Sequence, residues 1–121
     1  MLSSREDVVL VTRDGVQLQH VIVAAIHVDD ELKYTKKTFK RGMLPLEQAG
    51  VILDNMASNP HRAVFKVHSK KPAQVAGHQA FRTEVTFKDD DGLRYRGVSY
   101  GFMQNDWFYL VRYVAPDRHY F

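Results

Sequence analysis

Val8-Val9-Leu10-Val11 is a compact β-branched run that predicts a strand. It meets Asp14-Gly15, a hairpin signal because glycine accepts positive φ without steric cost. From Val16 to Val28 the pattern resumes, with Val16, Leu18, Ile22, Ala24, Ile26 and Val28 on one parity and Val21 and Val23 on the other. A strand apolar on both sides is expected between two covering layers, so this hairpin should lead into the middle of a sheet.

The period then changes. Asp29-Asp30-Glu31 offers a helix start, and Leu32, Thr35, Phe39 and Met43 recur at three- and four-residue spacing with lysines on the rest of the cylinder. Pro45 suits the first turn of a second helix, whose buried stripe is Leu46, Ala49, Val51 to Leu53 and Met56, and which Asn59-Pro60 ends. Beyond it the period is two. Ala63-Phe65-Val67 alternate with Val64-Lys66-His68, and Phe81-Thr83-Val85-Phe87 alternate with Arg82-Glu84-Thr86-Lys88. Leu93 to Phe102 and Trp107 to Val114 complete a three-strand meander, with turns at Asp89-Asp90-Asp91-Gly92 and Gln104-Asn105-Asp106. The order ββ–α–α–ββββ predicts one α+β domain over residues 1–121, an antiparallel sheet of N-terminal hairpin and C-terminal meander covered by helices.

A chain of 121 residues, 45% apolar and 26% charged, is long enough for its own core, which excludes a collagen, a disordered tail and a disulfide-stapled miniprotein. The formal charge is +3, and the basic residues are dispersed rather than gathered on one surface. Their densest run, Lys33, Lys36, Lys37, Lys40 and Arg41, reads first as the solvated face of the first helix. There is no cysteine, hence no disulfide and no thiol nucleophile. No stretch reaches the roughly 20 apolar residues of a membrane helix. Met1 to Asp7 has neither the basic nor the apolar region of a signal peptide.

Candidate chemistry is sparse. His20, His27, His61, His68, His78 and His119 fall into no compact metal-ligand spacing, so no metal or cofactor is expected. In a calcium loop with Gly92 sixth, the first and twelfth positions would be Phe87 and Val98, which carry no carboxylate. There is no Gly-x-Ser-x-Gly elbow, and Ser99 has no base beside it in sequence, so no catalytic residue is assigned. Glu84 is expected to pair with Arg82, Arg94 or Arg96 across an exposed sheet face. Gly97 and Gly101, inside a strand, suggest bulges or a close approach. The aromatic residues crowd the end of the chain, and Arg96, Tyr100, Arg112 and Tyr113 form a candidate contact surface.

Thr12-Arg13-Asp14-Gly15-Val16-Gln17-Leu18 and Met43-Leu44-Pro45-Leu46-Glu47 are the first half of a resemblance. Pro72-Ala73-x-Val75-x-Gly77-x-x-Ala80-Phe81, Asp91-Gly92-Leu93-Arg94-Tyr95 and Phe108-Tyr109-Leu110-x-x-Tyr113-x-Ala115-Pro116 are the second. With these the chain resembles a family of small bacterial envelope proteins, commonly lipoproteins, of uncharacterised function, and is similar to the wider PsbP-like α/β/α sandwich group. The resemblance implies an envelope or periplasmic location, with a leader and a lipidated cysteine upstream; a cytoplasmic location is the alternative. The expectation is therefore a non-catalytic binding or accessory domain of the cell envelope with a protein partner. One alternative is a small-ligand or hydrolytic domain with a pocket between sheet and helices holding His68 or His78. The other is weak nucleic-acid binding through Lys33, Lys37, Lys40 and Arg41, nucleic acid not being the expected partner.

Overall fold

The computed structural model describes residues 9–13 and 19–117, with side chains from residue 21 onward. Its elements are β1 (Val9–Arg13), β2 (Gln19–His27), α1 (Pro45–Ala57), β3 (Ala63–Val75), β4 (His78–Lys88), β5 (Arg94–Gln104) and β6 (Trp107–Pro116). The strands form one six-stranded sheet in the order β1-β2-β6-β5-β4-β3. Every neighbouring pair is antiparallel. The Asp14-Gly15 hairpin signal lies outside the described residues.

The helix-covered α+β sandwich is overturned. The described chain holds a single α-helix of 13 residues, packed on one face of a sheet that dominates the fold. Residues 29–44, where the spacing predicts a first helix, form an irregular segment. The apolar spacing there is satisfied by burial without a helix: Leu32 and Phe39 are each 3% exposed. Lys36 and Gly42 adopt positive φ, which interrupts helical backbone. In place of helical partners, the backbone N–H groups of Tyr34 and Thr35 donate to Asn55 Oδ1 on α1, at 2.8 and 3.2 Å. With that helix goes the basic helix face proposed for nucleic acid. Lys37 pairs with Asp54 at 3.2 Å, and Arg41 bonds both Asp29 and Asp106, at 3.2 and 2.8 Å.

Helix α1 forms where Pro45 and the apolar stripe place it. Glu47 Oε1 accepts the Leu44 N–H at 2.8 Å, closing the first turn, and Ala49, Ile52, Leu53 and Met56 are buried against the sheet. They share one buried core with Phe81, Val85, Phe87, Phe108, Leu110 and Val114, the inward parity of β4 and β6. Phe39 stacks on Phe108 at 4.3 Å and fastens the irregular segment to the same core.

Two further expectations change. β2 sits beside the edge strand β1 and pairs with the returning β6, and its outer parity is not sandwiched: Val23 is 41% exposed. β3 runs on to Val75, through Lys70, Lys71 and Pro72, into a tight turn at Ala76-Gly77, both at positive φ. Lysines and proline argue against a central strand, but β3 is an edge, where both are tolerated.

Candidate functional site

Because side chains alternate across a strand, the residues that do not face α1 share the opposite, open face. Register assembles them into rows. Val23, Val111, Tyr100 and Arg82 line up across β2, β6, β5 and β4, and Val21, Tyr113, Val98 and Glu84 form the next row. Ala25, Tyr109 and Phe102 make a third. Four large members, Val23, Tyr100, Tyr109 and Val111, are 36–41% exposed. Rings lie over one another at one end: His78 stacks on Phe102 at 4.7 Å, and Phe102 meets Tyr109 at 5.3 Å.

A polar network borders this patch. Arg82 Nε donates to the Tyr100 hydroxyl at 3.1 Å, with its guanidinium 5.9 Å from the ring centroid. Glu84 accepts from both Arg82 and Arg96, the pairing expected from the sequence, and Arg96 Nε donates to Asp117 Oδ1 at 2.8 Å. Burial alone would push the Glu84 carboxyl up, but hydrogen bonds and charge from Arg96 and then Arg82 outweigh it, and the net displacement is downward. The Asp117 bond chiefly holds Arg96 above its ordinary value.

The sign of the linkage follows. A carboxyl depressed in the fold contributes stability in full above its unfolded value, near 4.5, and loses it as pH falls through the folded value. Glu84→Gln should therefore cost about 1 kcal/mol at pH 7 and unfold less steeply in acid than wild type. Urea titrations between pH 7 and pH 3 measure this, and parallel pH profiles for the two proteins would refute it.

The sequence-derived candidates separate. Arg96, Tyr100 and Tyr113 share the open face, whereas Arg112 lies opposite Ile22 and Ser99 on the helix-covered side. His68 and His78 do not converge. His68 Nε2 is 2.7 Å from Thr86 Oγ1 near one end of β4, and His78 begins that strand, ~25 Å away at strand rise. Among the described residues, no group of three or more His, Asp or Glu is placed to hold a metal ion. A separate apolar groove of about 570 Å³ lies where Leu44, Pro45 and Leu46 approach Pro72, Gln74 and Gln79. Val23, Tyr109 and Val111 were not singled out by sequence reasoning. The signal was the parity of residues 107–114, which sets Trp107, Tyr109, Val111 and Tyr113 against Phe108, Leu110 and Val114.

Fold and site together describe a six-stranded antiparallel sheet backed by one helix, with an aromatic and aliphatic face left open. No protein-family model matches the chain, and no curated protein does. Among solved structures it is similar to PA94 from Pseudomonas aeruginosa, a protein of unknown function for which a regulator role is suggested. The TM-score is 0.60 at 9% identity, over 96% of this chain and 72% of that one. At that identity the likeness is one of fold. No helix among the described residues is long and apolar enough to cross a membrane.

Proposed function

We propose that this chain is a non-catalytic binding domain of the bacterial cell envelope, and that its open sheet face docks a protein partner. The observation that carries the docking is the row Val23–Val111–Tyr100, three exposed apolar side chains adjacent in register on a face that no described element covers. Contiguous apolar surface of this kind is costly to leave in water and marks contact sites. Arg82 beside Tyr100 adds the aromatic-arginine combination enriched at interface centres. The two carboxylates at this border, Glu84 and Asp117, are both engaged by Arg96, and Arg82 also bonds Glu84, so the border is balanced in charge and favours a partner with an apolar centre and a neutral polar rim. The envelope setting rests on the sequence resemblance.

A photo-crosslinking side chain at Val111 tests the docking, with the same probe at Leu44 beyond the open face as control. The expected result is a partner adduct at 111 that Val23→Ser with Tyr100→Ser reduces, and little adduct at 44. Equal yields at both positions, or none at 111, would overturn it. Recovery of the protein only in the cytosolic fraction would overturn the envelope placement.

A further inference from the structure

The docking row does not stop at Tyr100. Register continues it through Arg82 on β4 to Lys71 on β3, so Val23, Val111, Tyr100, Arg82 and Lys71 lie side by side across five strands. Neighbours in register share a face of the sheet, and Arg82, bonded to the Tyr100 hydroxyl, fixes that face as the open one. At the usual strand spacing the row is about 19 Å long, apolar at one end and cationic at the other. Lys66, in register with Thr86, lies on the same face two rows further along β4. Both lysines are exposed.

The charges along this margin do not cancel. Arg82 and Arg96 are matched by Glu84 and Asp117, which closes the border of the apolar patch. One strand further out, Lys71 faces an arginine and Lys66 a threonine. Neither forms an ion pair among the described residues, where the one lysine so engaged is Lys37, against Asp54 of α1. Lysines on an edge strand discourage pairing with another sheet, which accounts for cations on β3. It does not account for a cation set directly opposite Arg82, where like charges oppose each other and a glutamate would guard the edge as well. The open-face positions of β2 and β6 with described side chains hold no lysine or arginine, so the positive charge is confined to one side of the patch.

We propose that Lys71 and Lys66 receive a carboxylate-bearing segment of the partner that docks on the apolar end of the row, which makes Lys71 a specificity-determining residue of that interface. This rests on the docking read from Val23, Val111 and Tyr100. Beyond the neutral rim that the border favours, an acidic stretch of the partner supplies the counter-charge that β3 lacks and fixes the direction in which the partner lies along the row. A second copy of this chain does not fit, since Glu84 and Asp117, the carboxylates bordering its open face, are already bonded. A lipid surface fits less well, because its headgroups would meet the whole rim of the patch, and the cations stand on one side of it.

The photo-crosslinking probe at Val111 tests this when it is combined with charge variants of the full chain. Lys71→Glu should lower the partner adduct about tenfold and Lys71→Gln about threefold, while Lys71→Arg retains it. Lys33→Glu, at an exposed lysine of the segment 29–44, should leave the yield unchanged. Lys71→Glu sets a carboxylate opposite Arg82, so its Tm should not fall, and the lost adduct is then not lost folding. Carbodiimide treatment of the captured complex joins a lysine amine to a carboxylate held against it. Mass spectrometry of the digest should find Lys71 or Lys66 linked to an aspartate or glutamate of the partner. An adduct at 111 that is indifferent to Lys71→Glu, or equally sensitive to Lys33→Glu, or without such a link, overturns this inference and leaves the docking standing. No adduct at 111 overturns both. Flotation of the purified chain with phosphatidylglycerol vesicles but not with phosphatidylcholine vesicles, abolished by Lys71→Glu, would assign the lysines to a membrane surface and overturn the acidic segment.

Discussion

Gly101→Ala is expected to destabilise the protein by about 2–3 kcal/mol, an unusually large penalty for one methyl group in a strand. A Cβ at this position would lie 2.6 Å from the rings of both Phe81 and Phe108. Those rings are fully buried and cannot swing into solvent. The glycine is therefore the floor on which two aromatic side chains rest, and a larger residue must push apart a close-packed core. Gly97, four residues earlier on the same face, is the internal control. Its added Cβ would meet Val85 Cγ2 at 3.5 Å and Tyr113 O at 3.8 Å, ordinary contact distances. Gly97→Ala should cost less than about 1 kcal/mol, since nothing has to move. Urea midpoints at unchanged m-value compare the two, and equal losses would show that the rings do not occupy that space.

Phe108→Ala is the second large effect, about 3–5 kcal/mol, from lost burial plus the cavity left behind. Phe108 is fully buried between Phe39, stacked at 4.3 Å, and Phe81, at 5.9 Å. It thus joins the sheet to the irregular segment 29–44, and its removal should also loosen that segment. Hydrogen exchange reads this directly: the Tyr34 and Thr35 amides, bonded to Asn55, should lose protection beyond the global change. Phe39→Ala should reproduce the local loosening at lower global cost. In the Phe108→Ala background Gly101→Ala should cost less than in wild type, because one of the two obstructing rings is gone. Strict additivity would contradict the packing described.

Local chemistry wrote several elements plainly. Pro45 with Glu47 starts α1, the strict alternation of residues 81–87 makes β4, and Asn105-Asp106, both at positive φ, turns β5 into β6. Each depends on neighbours a few residues apart, so each is legible from order alone. Periodicity misled at Leu32, Thr35, Phe39 and Met43, because burial of spaced apolar residues does not require helical hydrogen bonds once Asn55 supplies acceptors from another element. Pro72 and the lysines disguised the second half of β3, because whether a strand is an edge is not a local property.

The open face depended on assembly in the same way. Parity divides Tyr109 and Val111 from Phe108 and Leu110, but not which set the only described helix covers. That choice placed Val23, Val111 and Tyr100 in one exposed row and sent Arg112 to the opposite side, toward Ser99. By itself the sequence determined the helix that starts at Pro45, the strands β4, β5 and β6 and the turns between them, since backbone preference and side-chain period act over short range. Tertiary structure alone decided which surface stays bare and which charged groups pair across it, because both depend on residues far apart in the chain meeting across one sheet.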